Sequence, residues 1–120
     1  MIHMQKNFNK VEFLFPKDFD IDTFSQNTTM EPFSEESVEF LNALSKELNK
    51  DSRIRDYPDV ATFAFFCRKA NIIQLKKKYS NENILRLGRG LVFHIAPSNV
   101  PVNFAYSFLC GMLAGNLNIV

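Results

Sequence analysis

The stretch that most narrows what this chain can fold into is Gly88 to Val120, GRGLVFHIAPSNVPVNFAYSFLCGMLAGNLNIV. Leu91 to Ala96 is a near-continuous apolar run of strand length, the pattern of a strand covered on both faces in a parallel sheet. Pro97 to Pro101 turns the chain. Val102 to Leu113 then reads as a helix with Phe104, Phe108 and Leu109 apolar, and Gly115 stands where a helix ends. Leu117 to Val120 begins another strand. Strand, helix and strand in this order predict a right-handed crossover, whose usual home is a doubly wound α/β sheet. A lone crossover leaves two sheet edges and one face uncovered. The expectation is therefore an α/β protein, seen here as a helical N-terminal lead-in and the first βαβ unit of a truncated domain.

Ahead of that unit the pattern is mixed. Val11, Phe13 and Phe15, then Phe19, Ile21 and Thr23, occupy alternate positions and predict two short strands around Pro16. The polar stretch from Ser25 to Pro32 reads as a loop. Ser34 followed by Glu35 and Glu36 is a helix start, with a hydroxyl to cap the first amides and acids on the positive end of the dipole. Val38, Leu41, Leu44 and Leu48 continue that helix at 3.6-residue spacing. Pro58 suits the first turn of a second helix, where its missing N–H is not needed. Val60, Phe63, Ala64, Cys67, Ala70 and Ile73 are its expected buried stripe, and Lys76, Lys77 and Lys78 close it. The lysine run reads as a solvated helix end complementing the dipole rather than as a phosphate site. The division expected is residues 1–85 as an N-terminal segment and 86–120 as the start of an α/β domain.

Composition removes several function classes. With 46 % hydrophobic and 22 % charged residues the chain is foldable, and thirteen Phe without a Trp require a core to hold them. A net charge of +1 gives no support to nucleic-acid binding or to a polybasic membrane contact. Met1 to Lys10 lacks the apolar stretch of a signal peptide. The longest apolar region, Val100 to Leu117, is broken by Asn103, Ser107, Gly111 and Asn116 and makes a poor transmembrane span. Cys67 and Cys110 have no metal-ligand spacing, so no metal site is expected, and a reduced, cytoplasmic setting is.

The segment with chemical promise is Ile95-Ala96-Pro97-Ser98-Asn99-Val100-Pro101, at the carboxyl end of the first parallel strand, where open α/β sheets place their ligands. The prolines stiffen the turn and restrict the residues before them to extended backbone. A rigid turn presenting the Asn99 carboxamide suits an oxyanion-binding group, whose donor must be in place before charge develops. The residues alone favour the simpler alternative that Asn99 satisfies its own turn.

The pattern Ile-x-Pro-x-Asn-x-Pro, followed by an apolar helix and Ala114-Gly115-Asn116, resembles the start of the cofactor-binding domain of the aldehyde dehydrogenase superfamily. The fuller string from His94 to Pro101, with Gly88-Arg89-Gly90 before it, is most similar to the LuxC-type acyl-CoA reductases, known from the fatty-acid reductase of bacterial bioluminescence. That resemblance covers Gly88 to Val120. It implies an NADPH-dependent reduction of an acyl-CoA, or another acyl thioester, to a fatty aldehyde through an enzyme cysteine beyond residue 120. It implies Asn99 as the oxyanion donor and Ile95, Ala96, Pro97 and Ser98 as the turn along the nicotinamide. Ser98 replaces the bulky aromatic found there in many aldehyde dehydrogenases, which leaves cofactor pose and reaction direction open. A homo-oligomer and a place in a reductase complex are both compatible assemblies. An oxidative aldehyde dehydrogenase and a non-enzymatic interaction module stay as alternatives.

No other residue competes strongly for a catalytic role. Cys67 and Cys110 fall on apolar helix positions without a nearby base and are expected to be core thiols. His94, on the buried strand, is expected to be a hydrogen-bonded core histidine, with an acid or base role as the alternative.

Overall fold

The computed structural model describes residues 12–120. Its elements in chain order are α1 (Ile21–Ser25), α2 (Glu35–Lys50), a 3₁₀ turn (Ser52–Asp56), α3 (Pro58–Phe66), α4 (Lys69–Tyr79), β1 (Leu91–Phe93), α5 (Asn103–Leu113) and β2 (Leu117–Ile119). The architecture is mixed helix with one small parallel sheet. β1 pairs with β2 in the register Leu91 to Leu117, Val92 to Asn118 and Phe93 to Ile119, with α5 between them in the chain.

α2 forms where its sequence said it would. Ser34 Oγ accepts from Ser37 N at 3.3 Å, and Glu35 and Glu36 fill the first turn. Its buried side is Val38, Leu41 and the small polar residues Ser37 and Ser45. Those residues meet Phe63, Cys67 and Ile72 from α3 and α4 and Leu109 and Leu113 from α5 in one core. Tyr106 packs edge-on against Phe63, and Phe40 against Phe108, so part of the Phe surplus is spent joining α5 to the older helices.

Two expectations upstream of β1 are corrected. Phe19 to Thr23 is not a strand: Asp20 caps α1, its carboxylate accepting from Asp22 N at 3.1 Å and Thr23 N at 3.4 Å. Phe13 and Phe15 lie in irregular chain and Val11 falls outside the described residues. Alternation across so few residues cannot tell a strand from a capped helical turn, and the cap decided it. The Phe13, Phe19 and Phe24 rings cluster with centroids 4.4 and 5.2 Å apart in succession.

The helix expected from Pro58 onward is two helices. Cys67 caps α3 and Arg68 turns extended (ψ 137°) before α4 starts. Side chains satisfy the groups that the break exposes. Ser45 Oγ donates to Ala64 O at 2.5 Å, Asn71 Nδ2 donates to Phe65 O at 2.7 Å, and Lys69 N donates to Asn42 Oδ1 at 3.3 Å. The break resets the helical phase. Ile72 becomes fully buried, while Ala70 and Ile73, both expected inside, are exposed. The Lys76 to Lys78 run is exposed at the last turn of α4, and Lys76 Nζ donates to Phe33 O at 3.2 Å.

β1 is also shorter and barer than its apolar run predicted. Only Leu91 to Phe93 is strand, and exposure alternates: Val92 and His94 are partly buried, the His94 ring reaching Ser107 of α5, while Phe93 is 66 % and Ile95 88 % exposed. One face is covered instead of two.

The C-terminal end of α5 closes with a Schellman arrangement. Gly115 N donates to Met112 O at 2.9 Å and Asn116 N to Gly111 O at 3.1 Å, with Gly115 at φ +83°. Around that turn three backbone segments meet. Met30 N donates to Gly115 O (2.9 Å), Gly88 N to Met30 O (3.2 Å), and Phe33 N to Leu113 O (2.8 Å). Phe33, the residue that starts the bend into α2, takes φ +56°.

Candidate functional site

The turn between β1 and α5 is built on an internal hydrogen-bond chain. His94 N donates to Ile119 O at 2.8 Å, extending the pairing of the two strands by one bond. The His94 ring then reaches both neighbours: Nε2 lies 2.8 Å from Asn118 Oδ1 and Nδ1 lies 2.7 Å from Ser107 Oγ. Asn118 Nδ2 donates to Asn116 O at 2.8 Å, which leaves its Oδ1 to accept from His94 Nε2–H. Nδ1 is then the acceptor for the Ser107 hydroxyl. Asn116 Oδ1 in turn accepts from Arg89 N at 2.6 Å. α5 comes this close because Gly111 faces the pair; a Cβ there would sit 2.1 Å from Asn118 Oδ1 and 3.0 Å from His94 Nε2. His94 is therefore a hydrogen-bonded, partly buried tie between β1, β2 and α5.

Past this tie the chain runs free. Ile95, Pro97, Ser98 and Asn99 are exposed and Ala96 is partly buried. The backbone N–H groups of Ile95, Ala96, Ser98 and Asn99 have no protein acceptor among the described residues, and the Asn99 carboxamide makes no hydrogen bond among them either. The turn resumes order with Asn103 N donating to Val100 O at 3.1 Å, and α5 begins at Asn103, its N-cap Val102 offering no side-chain hydrogen bond. A rigid base and an exposed, uncommitted loop of donors sit side by side at the carboxyl end of β1. Such a loop can receive acceptor atoms of a ligand lying along it.

The cysteines separate. Cys67 is fully buried among Phe63, Ile72 and Leu109, and burial pushes its thiol up to about 11. Cys110 is exposed, which corrects the expectation of a second core thiol. It sits on the outer side of α5 and borders an apolar concavity of about 480 Å³ with Phe33, Phe66, Leu75 and Leu113. An alkylating reagent at pH 8 should therefore label Cys110 rapidly in the folded protein, and Cys67 only when denaturant is present. Peptide mass mapping after timed quenching reads this directly, and equal labelling of both thiols would refute the packing described.

Among the described residues no group of His, Cys, Asp and Glu is arranged to hold a metal ion, and no helix is long and apolar enough to cross a membrane. A family model described as acyl-CoA reductase (LuxC) matches residues 28–120 of the chain. No curated protein and no solved structure matches it.

Proposed function

The chain belongs to the LuxC family of acyl-CoA reductases, and from that premise we propose that it forms the front part of an NADPH-dependent enzyme reducing fatty acyl thioesters to aldehydes. The observation that carries the site assignment is the exposed Asn99 carboxamide, on a proline-flanked turn with no hydrogen-bond partner among the described residues. In this reading the thiolate of a cysteine outside these 120 residues attacks the acyl carbon, and coenzyme A leaves as the thiol. Asn99 Nδ2–H donates to the acyl oxygen as negative charge builds on it, and the donor is oriented beforehand by the stiff turn. Cys67 has neither the exposure nor the acidity for the nucleophile's task.

Ile95, Ala96, Pro97 and Ser98 line the nicotinamide side of the cofactor in this reading. Ile95, Pro97 and Ser98 are exposed and Ala96 is partly buried, and the N–H groups of Ile95, Ala96 and Ser98 have no acceptor among the described residues, which fits a carboxamide-bearing ring lying along the turn. When bound, NADPH supplies the hydride that reduces the acyl carbon. The chain's own contribution is placement. The His94 tie to Ser107 and Asn118 fixes where the turn leaves the sheet, and the turn fixes Asn99. Residues 86–120 begin the cofactor domain, which is related to that of aldehyde dehydrogenases, and 1–85 lead into it. Two free thiols suit a cytoplasmic setting.

The full-length protein incubated with a fatty acyl-CoA and NADPH should consume the nicotinamide and release aldehyde in equal amounts, while residues 1–120 alone should do neither. Measuring nicotinamide absorbance and trapped aldehyde on both preparations tests this. An inert full-length protein, or an active fragment, would overturn it.

A further inference from the structure

Folding brings together cations that lie apart in the sequence. The second half of α2 and the α3–α4 break border an open concavity of about 660 Å³. Its charged lining is Lys46, Lys50, Arg68 and Lys69, with no acidic side chain, alongside the amides of Asn42 and Asn49. Two of the cations are balanced at the rim, Lys50 by Glu47 and Lys69 by Glu39. Lys46 and Arg68 form no ion pair among the described residues. Arg68 is also preset: its guanidinium lies 4.7 Å from the centroid of the Phe65 ring, which limits the freedom it would lose on binding. α4 begins at this spot, so the positive end of its dipole adds to the field of the two unpaired cations.

We propose that this concavity binds the phosphorylated adenosine end of a nucleotide ligand, one that carries both a pyrophosphate and a phosphate monoester. Clustered cations, two of them without an ion-pair partner among the described residues, suit clustered phosphates, and a guanidinium held over an aromatic ring suits bidentate contact with a phosphate. A monoester adds about −1.5 to −2 of charge near pH 7, more than a bare ribose hydroxyl can offer such a site. The ligand class rests on the acyl-CoA reductase reading, which provides two sources of that chemistry: the coenzyme A of the substrate and NADPH. The surface is remote in sequence from the Asn99 turn and shares no residue with it.

Titration calorimetry on the full-length protein with coenzyme A, dephospho-coenzyme A, NADPH and NADH tests the proposal. The double variant Lys46→Gln/Arg68→Gln removes the two uncommitted charges from exposed positions, so melting temperature should hold. It should weaken coenzyme A or NADPH by about tenfold or more, and the partner lacking the monoester by less. Lys46→Arg/Arg68→Lys should retain most of the affinity. A loss confined to coenzyme A identifies the substrate as the source, and one confined to NADPH identifies the cofactor. Unchanged affinity for all four ligands overturns the proposal, as does an equal loss of binding to heparin, which would mark a nonspecific cationic surface. Binding is read without turnover. A protein that binds coenzyme A through these residues yet reduces nothing would end the reductase reading and leave this one standing.

Discussion

Asn99→Ala in the full-length protein is expected to slow acyl reduction by roughly a hundred- to a thousand-fold, the usual cost of losing one preorganised oxyanion donor. Affinity for NADPH and the KM for the acyl substrate should move far less, because the donor acts on charge that exists only as the bond changes form. Folding should hardly notice. The side chain is exposed and makes no hydrogen bond among the described residues, and surface substitutions of that kind stay within about ±0.5 kcal/mol. Turnover and melting temperature measured on one preparation separate the two roles. A variant that melts like the wild type and turns over like it would remove Asn99 from the chemistry. One that loses activity only as it unfolds would make Asn99 a structural turn residue.

The largest effect on stability is expected at Gly115, for a reason unconnected to chemistry. A Cβ there would stand 2.0 Å from Met30 O, a backbone atom that cannot swing away, at a φ of +83° that side chains rarely adopt. Gly115→Ala should therefore cost about 3 kcal/mol or more, combining strain with the displacement of the 30–33 segment. Gly90 offers the control. It also has positive φ, at +129°, but nothing lies within 4 Å of its Cβ position. Gly90→Ala should cost only the backbone strain, about 1–2 kcal/mol. Urea titration of both variants gives the comparison. If Gly115→Ala loses no more than Gly90→Ala, the close approach of Met30 is not a feature of the folded protein.

How much of this was legible in the residues depended on how local the cause was. α2 could be read because its signals all lie within its own span: Ser34 for the cap, acids after it, then the leucine spacing. α5 and the Gly115 stop were readable for the same reason. The split between α3 and α4 was not, because it is held by Ser45, Asn42 and Asn71, two of them from another helix. Nothing between Pro58 and Lys78 breaks the helical pattern on its own. The strand expected near Phe19 failed because the capping carboxylate of Asp20 outweighs an alternation of only three positions, Phe19, Ile21 and Thr23.

The same distinction runs through the candidate sites. The Asn99 turn announces itself by its prolines, and its exposure could be anticipated. That Cys110 faces outward could not, since a helix of nearly uniform apolarity does not say which side is covered. The run Lys76 to Lys78, read as a solvated helix end, is exposed at the last turn of α4, while the cations that share a concavity come from two separate stretches, 46–50 and 68–69.

The meeting of Met30, Gly88 and Gly115 also sets a timetable. Two hydrogen bonds join residues 30 and 115, 30 and 88, and Phe33 reaches Leu113 besides. As the chain is made from its N-terminus, at about 5–20 residues per second, α2, α3 and α4 can pair as soon as they emerge. The segment in front of α2, counted from Phe33, waits for some eighty residues, a delay of roughly 4–16 seconds at that rate, before Leu113 and Gly115 exist. From the completion of α4 at Tyr79 until then, Leu109 and Leu113 are missing as well, so Leu41, Phe63 and Ile72 share a core with one wall open. The clasp at Gly115 closes only after the three helices can meet, and a chaperone acting on this protein during synthesis would find its target on the inner faces of α2, α3 and α4.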